Sequence, residues 1–334
     1  MKSSKLINPN EIIYLAGSSG MVGRSLLRLL KESSYGLEKY GGKLLTPSRK
    51  ELDLLNTEEV NNWFDKNKPS IVILAAAKVG GIYANANFPA DFLYENLKIQ
   101  MNVIEAAWKN RVKRFLFLGS SCIYPKYARQ PIEEESLLTK SLESTNEWYA
   151  ISKISGIKLL QALRKQYNFD AISLMPTNLY GTGDNYHPTN SHVIASLINK
   201  FCNAVKFSER EVVCWGTGNV LREFLHVDDL SRAILFALEN WDPSSVGAPA
   251  YINNEPYTFL NVGSGEEISI KDLSEMIAKK VGFKGKIIWD QTKPDGTPRK
   301  LLNIEKIREM GWGHKISLDE GLNRTIKEFQ DNNF

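Results

Sequence analysis

Residues 11–25 read Glu-Ile-Ile-Tyr-Leu-Ala-Gly-Ser-Ser-Gly-Met-Val-Gly-Arg-Ser, and this stretch decides the fold. A short apolar run enters three glycines, Gly17, Gly20 and Gly23, and an amphipathic pattern starts after them. Glycines between a strand and a helix allow a tight turn and close approach of the backbone to a pyrophosphate. The N-terminus of the helix that follows attracts anions. The spacing Gly-x-x-Gly-x-x-Gly favours a dinucleotide-binding unit, provided that further strands and helices alternate behind it.

Such an alternation continues through the first half of the chain. Short apolar runs of the strand type stand at 43–46, 71–77, 115–118 and 171–175, and helical patterns at 91–109 and 149–167. This order predicts an α/β fold of the Rossmann type, a doubly wound parallel sheet. Ligands of such sheets bind beyond the carboxyl ends of the strands. The segments 17–23, 77–81, 120–122 and 176–179 all fall at such ends, so we expect them to form one site.

The remainder of the chain is less regular and predicts a smaller C-terminal α/β domain that binds substrate. We expect a dinucleotide-binding domain at 1–180 and mainly a substrate domain at 181–334, with the segment around 224–242 returning to the first domain. A helix is predicted at 193–207, and a strand-helix-strand group at 261–289. The segments 33–43 and 241–256 are assigned no function.

Composition excludes several classes of protein. The 334 residues carry a net charge of only +4, too small to favour binding of nucleic acid or membrane, and no apolar run approaches the length of a membrane span. The start of the chain lacks the apolar stretch of a secretory signal. Three cysteines without Cys-x-x-Cys spacing, and four histidines, indicate reduced thiols in a cytoplasmic protein and no metal site.

The predicted second strand, 43–46, bears on the choice of cofactor. A carboxylate near its end would bind the ribose 2′-hydroxyl of NAD, whereas arginine suits the 2′-phosphate of NADP. Here Ser48-Arg49-Lys50 follow, with no acidic residue before Glu51. The pattern therefore favours NADP, although a solvated basic loop would look the same.

Two segments supply candidate reactive groups. Tyr149 and Lys153 are four apart, which places both on one face of a helix, where the ammonium would lower the pKa of the phenol. Such a tyrosine exchanges a proton with a carbonyl oxygen near neutral pH. Ser120 and Cys122 follow the 115–118 run and share a side if that stretch is extended. An exposed helix face and a small buried cysteine are the structural alternatives.

Together these motifs resemble the extended short-chain dehydrogenase/reductase family, and within it the enzymes that epimerise and reduce nucleotide-linked 4-ketosugars. The resemblance covers the chain from about Ile12 to its last helix. It is carried by six stretches, 75–82, 118–126, 175–181, 190–194 (Asn-Ser-His-Val-Ile), 222–229 (Arg-Glu-Phe-Leu-His-Val-Asp-Asp) and 293–300.

The resemblance implies a role for each matching residue. Ser120, Tyr149 and Lys153 match the reductase triad, and Cys122 and His192 the epimerase pair. Cofactor positions are matched by Gly17, Ser18, Ser19, Gly20, Met21, Val22, Gly23, Arg49, Asp53, Leu54, Leu118, Gly119, Ser121, Pro176, Thr177, Asn178 and Leu179. The nucleotide-sugar positions are matched by Lys200, Trp215, Arg222 and Asp295. Bacterial members often have a basic residue in the glycine loop, where this chain has Ser18 and Ser19, so recognition of a 2′-phosphate would depend mainly on Arg49.

The implied activity is NADPH-dependent 3,5-epimerisation and 4-reduction of GDP-4-keto-6-deoxy-D-mannose. A 4-reductase, 4-epimerase or 4,6-dehydratase acting on another nucleotide sugar would share the fold, and a dehydratase would carry an Asp-Glu pair where Ser121 and Cys122 stand. A binding module that senses a cofactor would need none of the reactive groups. Helices 91–109 and 149–167 carry more apolar positions than one sheet face covers, which predicts a homodimer through a four-helix bundle.

Overall fold

The computed structural model describes residues 5–187, 191–293 and 295–333. Asn190 and Pro294, which belong to two of the stretches that resemble the family, lie outside the described residues. The strands are β1 Ile12–Ala16, β2 Lys43–Leu45, β3 Ile71–Leu74, β4 Arg114–Leu118, β5 Ala171–Pro176, β6 Asn178–Tyr180, β7 Glu211–Trp215, β8 Leu221–His226, β9 Phe259–Val262, β10 Glu267–Ser269, β11 Lys286–Asp290 and β12 Arg299–Lys300. The helices are α1 Met21–Glu32, α2 Thr57–Asn67, α3 Ile82–Asn87, α4 Pro89–Lys109, α5 Glu147–Tyr167, α6 Val193–Lys206, α7 Val227–Asn240, α8 Ile270–Val281, α9 Glu305–Glu309 and α10 Leu318–Asn333.

The main sheet has six parallel strands in the order β2-β1-β3-β4-β5-β9. Every residue of β3, β4, β5 and β9 is buried, as expected where helices cover both faces of a parallel sheet. The strand order reverses between β1 and β3, so a crevice opens there beyond their carboxyl ends. The predicted Rossmann-type doubly wound sheet is confirmed.

Helices on the two faces of this sheet complete the main apolar core. On one face α7 packs against α1, where the Ser25 hydroxyl donates to the Asp228 carboxylate at 2.6 Å. On the other face α4 and α5 pack along each other. Because α7 belongs to this core although it follows strands of the smaller sheets, the chain passes between the main sheet and the smaller sheets more than once.

A second apolar core lies under two small sheets. In one of them β10, β8 and β12 are neighbours and β6 also pairs with β8; in the other, β11 pairs with β7. Helices α6, α8 and α10 supply much of its interior, including Phe201, Leu273 and Phe329. Among the described residues, we find no helix with the length and hydropathy that a bilayer crossing requires.

Several elements differ from the sequence-based expectation, and three of them bear on the architecture. Strand β9 joins the main sheet beside β5, although its sequence neighbours suggested a place in the smaller domain. Strand β3 ends at Leu74, and residues 75–81 run on without strand pairing. Helix α2 was not predicted; it buries only Val60 and Phe64 and is capped by the Asn56 side chain, which accepts from the Glu58 and Glu59 amides. Local pattern cannot specify which sheet a short strand joins, since pairing partners are distant in sequence.

Candidate active site

In the glycine turn after β1, the backbone packs closely against the backbone of neighbouring segments. Gly17 has φ +87°, and a Cβ there would lie 2.7 Å from the Ala76 amide nitrogen. A Cβ on Gly23 would lie 2.1 Å from the Gly17 carbonyl oxygen, so only glycine lets α1 pack this close to the turn. The first turn of α1 has no side-chain cap within the described residues, and its amides are available for an anion. This cradle fits a dinucleotide pyrophosphate.

A single cleft of ≈ 990 Å³ extends from this turn across the carboxyl ends of β1, β3, β4 and β5. Every residue that the resemblance placed at the cofactor lines it, from Gly17 through Arg49 and Leu118 to Leu179. The five candidate catalytic residues also line it: Ser120, Cys122, Tyr149, Lys153 and His192. The structure thus brings together segments that are far apart in the sequence.

Ser120 and Cys122 reach the cleft by a different backbone path from the one expected. Residues Ser121–Ile123 form a single 3-10 turn rather than an extended stretch. The Ser120 hydroxyl oxygen accepts from the Cys122 amide at 3.2 Å and so caps this turn. A serine side chain that bonds a nearby backbone amide competes with strand pairing for that amide. Strand β4 accordingly ends at Leu118, just before this turn.

Lys153 is fixed deep in the site by α5. It is 2% exposed, its Nζ donates to the Leu118 carbonyl at 2.8 Å, and it lies 4.7 Å from the centroid of the Phe117 ring. Burial lowers the pKa of Lys153 to about 7. The ammonium is 5.8 Å from the centroid of the Tyr149 ring, so the helical spacing places both side chains on one face as predicted.

The expected depression of the Tyr149 pKa is wrong for this structure. Burial raises the pKa of Tyr149, a negative Cys122 would raise it further, and hydrogen bonding with Ser120 lowers it only in part. Desolvation of the phenolate is the main cause, and the buried Lys153 is only partly charged near pH 7 because its own pKa is about 7. Tyr149 is therefore a neutral phenol here, suited to donate a proton.

Cys122 has two polar neighbours that the sequence did not indicate. The Lys300 Nζ lies 3.5 Å from its Sγ, and the Asn146 Nδ2 lies 3.4 Å from it. Lys300 comes from β12, and Asn146 is the residue before α5. The stretch 293–300 carried the family resemblance, but nothing in its local pattern singled out Lys300 as a neighbour of the thiol.

His192 stands at the N-terminus of α6, with extended backbone (φ −74°, ψ 165°). The His192 side chain lines the cleft. The surrounding cleft walls desolvate the ring, which lowers the pKa of His192. The imidazole is thus mostly neutral near pH 7, where it can accept a proton, and its protonated form is a stronger acid than an ordinary imidazolium.

The four candidate nucleotide-sugar residues lie close to one another, and one of them reaches the cleft. Arg222 lines the cleft, and burial lowers its pKa. Trp215 is 51% exposed, with the Nζ of Lys200 and of Lys293 at 5.5 and 5.6 Å from its ring centroid. Trp215, Lys200 and Asp295 stand outside the cleft lining proper. Arg222 connects the two regions by donating to the Asp295 carbonyl at 3.3 Å.

Asp295 uses its carboxylate within the protein. It accepts from the Thr217 amide at 2.8 Å and from the Thr217 hydroxyl at 2.9 Å. Gly216 is in the left-handed region, and a Cβ there would lie 2.2 Å from the Asp295 Oδ1. The carboxylate therefore fastens the loop after residue 290 onto the end of β7, beside Trp215.

Comparison with known proteins agrees with this geometry. The profile described as the NAD dependent epimerase/dehydratase family matches residues 13–249. A putative GDP-L-fucose synthase 2 from Arabidopsis thaliana is 49% identical over 99% of this chain and 96% of its own length. The GDP-L-fucose synthase of Escherichia coli K12 is 46% identical, covering 96% of this chain and 97% of its own. The chain belongs to the GDP-L-fucose synthase family.

Solved structures place the same fold in related enzymes. A GDP-mannoheptose C4 reductase from Campylobacter jejuni with NADP bound superposes with a TM-score of 0.86 at 33% identity, over 97% of this chain and 99% of that one. The family predicted from the motifs and the enzyme class, an oxidoreductase with epimerase activity, are confirmed.

Proposed function

We propose that this protein converts GDP-4-keto-6-deoxy-D-mannose to GDP-L-fucose by epimerisation at C3 and C5 followed by reduction at C4 with NADPH. The observation that carries the proposal is the single cleft that holds both sets of groups. Cys122 and His192 are suited to move protons on carbon, and Tyr149 is suited to protonate oxygen. A plain 4-reductase would need neither Cys122 nor His192.

The epimerisation begins at the ketone. The 4-keto group acidifies the hydrogens on C3 and C5, and the Ser120 hydroxyl and the Tyr149 phenol are placed to hydrogen-bond the oxygen as negative charge develops on it. Cys122 removes a proton from carbon, and His192 returns one on the opposite face. His192 serves as this acid in its protonated form, which its lowered pKa makes a stronger acid, and it regains the proton from solvent.

The reduction uses the same oxygen partners. When bound, NADPH supplies the hydride for C4. Tyr149, a neutral phenol because of its burial, donates its proton to O4 as the alcohol forms. Lys153 holds the end of β4 through the Leu118 carbonyl and lies beside the face of the phenol, where it restrains the ring and stabilises the phenolate that proton donation leaves.

The preference for NADP is proposed on Arg49. Its exposed guanidinium lines the cleft beside the glycine turn. The nearby acid, Glu51, accepts from the Ser48 amide at 2.7 Å, so its carboxylate closes the local turn. With Glu51 engaged in that turn, the Arg49 guanidinium is left to bind a 2′-phosphate.

The nucleotide end of the substrate is proposed to lie along Arg222, Lys200 and Trp215. The Arg222 guanidinium and the Lys200 ammonium would offset the diphosphate charge, and the exposed Trp215 ring offers a surface on which a ring of the nucleotide can pack. Asp295 serves this site by holding the loop beside Trp215 in place.

We also propose a homodimer through α4 and α5. Large apolar side chains stay exposed on these helices, with Tyr94 67%, Met101 46%, Trp148 39% and Ile151 38% exposed. Tyr94 and Met101 are two helical turns apart, so they share one face. A second copy related by a two-fold axis would cover this face with the same face.

A reducing compartment, the cytoplasm, suits an enzyme that needs Cys122 as a thiol.

The test is to give purified protein GDP-4-keto-6-deoxy-D-mannose with NADPH and to identify the sugar by NMR. Solvent deuterium exchange into the ketosugar without NADPH reports proton removal separately. Cys122→Ala is expected to lose exchange, with Cys202→Ala, the same change at a buried cysteine outside the cleft, as control. Tyr149→Phe is expected to keep some exchange and lose reduction by roughly 100- to 10,000-fold.

Two outcomes would contradict the proposal. Unchanged exchange in Cys122→Ala would leave a plain 4-reductase. A product that keeps the original configuration at C3 and C5 in the unmodified protein would assign the chain to the reductases alone. His192→Asn is expected to impair inversion at one or both centres.

A further inference from the structure

The thiol of Cys122 is contacted by two groups from different parts of the chain. The Lys300 Nζ lies 3.5 Å from Sγ and the Asn146 Nδ2 lies 3.4 Å from it. Both are donors that favour an anionic acceptor, because an ammonium and an amide N–H each stabilise negative charge on sulfur. A thiolate at this position can accept from both donors.

Lys300 is held in this position by its backbone. In β12 it pairs with Arg222 of β8, and the next residue, Leu301, donates its amide to the Gln130 side chain at 2.9 Å. The Gln130 amide donates in turn to the Arg299 carbonyl at 3.1 Å. The backbone that carries the ammonium is thus fixed on both sides, and the side chain is directed at the thiol by secondary structure rather than by a mobile loop.

A small cavity lies next to this contact. It has a volume of ≈ 20 Å³ and is lined in part by Cys122, Glu143, Asn146, Thr297 and Lys300. This is room for about one water molecule and none for a sugar. The Asn146 Oδ1 is buried without a hydrogen-bond partner among the described residues. On this side the sulfur is therefore surrounded by groups of the protein, while Cys122 and Lys300 also line the large cleft.

The other charged and titratable groups near the sulfur leave Lys300 as the contacting cation. Glu143 is paired with Lys126 at 2.9 Å, which offsets its charge. Arg222 interacts with Cys122 only through space, and its guanidinium is engaged with the Leu221 and Asp295 carbonyls. Tyr149 and Tyr124 are neutral phenols whose pKa values burial raises. Within the described residues, the Lys300 ammonium is the cation within hydrogen-bond distance of the sulfur.

We propose that Lys300, with Asn146, holds Cys122 in its thiolate form and so makes it a base at neutral pH. Lys300 is a positioning residue that acts through Cys122. The thiolate takes a proton from a carbon next to the ketone: the C–H bond breaks, an S–H bond forms, and the electron pair moves to the ketone oxygen as an enolate. Lys300 takes no proton in this step, and the thiol proton leaves to solvent before the next proton is removed from carbon. The carbon chemistry rests on the proposed function; the thiolate does not.

The experiment measures alkylation of Cys122 by iodoacetamide, a neutral reagent, in the full-length protein without substrate. Rates are followed between about pH 6 and pH 10 by peptide mass spectrometry, which separates Cys122 from the buried Cys202 and Cys214. Lys300→Met is expected to slow alkylation at pH 7 about tenfold and to move the midpoint of the profile up by about one pH unit. The rate at high pH is expected to match that of the unmodified protein.

Matched variants separate charge from structure. Lys300→Gln keeps a polar side chain without charge and is expected to behave as Lys300→Met, whereas Lys300→Arg is expected to restore the profile. Lys286→Met, the same change at an exposed lysine of β11, is expected to leave it unmoved. Asn146→Ala is expected to move the midpoint in the same direction by less. NADPH binding, followed by fluorescence, verifies that each variant is folded.

Either of two results would overturn the proposal. In one, the Lys300→Gln profile coincides with that of the unmodified protein. In the other, alkylation slows equally at every pH, as it would if Lys300 only controlled access to the sulfur. A shifted profile in a protein that forms no product from the GDP-ketosugar would support the thiolate and reject the substrate. Normal product formation with no shift of the alkylation profile would support the substrate and reject the role of Lys300 in holding the thiolate.

Discussion

Replacement of Lys153 by methionine is expected to stabilise the protein at neutral pH while it abolishes reduction. The Lys153 Nζ is buried with one carbonyl partner, and burial lowers its pKa from the usual 10.5 to about 7. The folded chain therefore disfavours the charged form that the unfolded chain keeps. Methionine fills a similar volume and has no charge to desolvate.

The magnitude follows from the pKa. At 1.36 kcal/mol for each pH unit, the depression corresponds to a cost of about 4 kcal/mol in the free energy of unfolding at pH 7. Loss of the hydrogen bond to the Leu118 carbonyl offsets about 1–2 kcal/mol of the gain. We expect Lys153→Met to be more stable than the unmodified protein by about 2 kcal/mol at pH 7.

The sign of the pH dependence is fixed by linkage. Between pH 7 and 10.5 the unfolded chain binds a proton at Lys153 that the folded chain has released, so stability rises with pH. Below pH 7 Lys153 is protonated in both the folded and the unfolded chain, and the whole cost of burying its ammonium is present. The advantage of Lys153→Met should thus be full at pH 7 and below, shrink as pH rises, and vanish or reverse by about pH 10.

Urea unfolding without NADPH, at pH about 7 and about 9.5, measures this difference. Lys165→Met, at an exposed lysine of the same helix, is the control and should show no such trend. The comparison of two variants at each pH cancels the titration of all other groups. If the free-energy difference between Lys153→Met and the unmodified protein is the same at both pH values, the argument from burial is wrong.

Four further changes test other parts of the structure. Arg49→Ala is expected to lower kcat/KM for NADPH about 10- to 100-fold and to leave that for NADH nearly unchanged; equal use of both cofactors by the unmodified protein would contradict the role of Arg49. Gly23→Ala places a Cβ 2.1 Å from the Gly17 carbonyl oxygen and is expected to weaken NADPH binding at least about tenfold, measured by fluorescence titration. Asp229→Ala removes a fully buried acceptor of the Lys315 and Ile316 amides and is expected to cost about 3 kcal/mol in urea unfolding. Ile151→Asp on the exposed face of α5 is expected to give a monomer by light scattering, and a monomeric unmodified protein would refute the dimer.

Several features follow from the sequence alone because they depend on local order. The strand-glycine-helix order of residues 11–25 and the alternation behind it specify a parallel doubly wound sheet, since each strand must cross over through a helix to reach the next. The four-residue spacing of Tyr149 and Lys153 specifies that they share a helix face. The family stretches identify the enzyme class, and the lining of the cleft matches the segments at the predicted strand ends.

Other features were decided only by tertiary packing. Strand β9 joined the main sheet because its buried apolar residues pair with β5, and no local signal distinguishes the two sheets that it could enter. The pKa of Tyr149 rises although a lysine lies four residues away, because desolvation depends on everything packed around the phenol. Lys300 lies 178 positions from Cys122 in the chain, yet contacts its sulfur. Local pattern reports what a segment can form; which distant groups share a low-dielectric site, and hence their charge states, is set by the packed molecule.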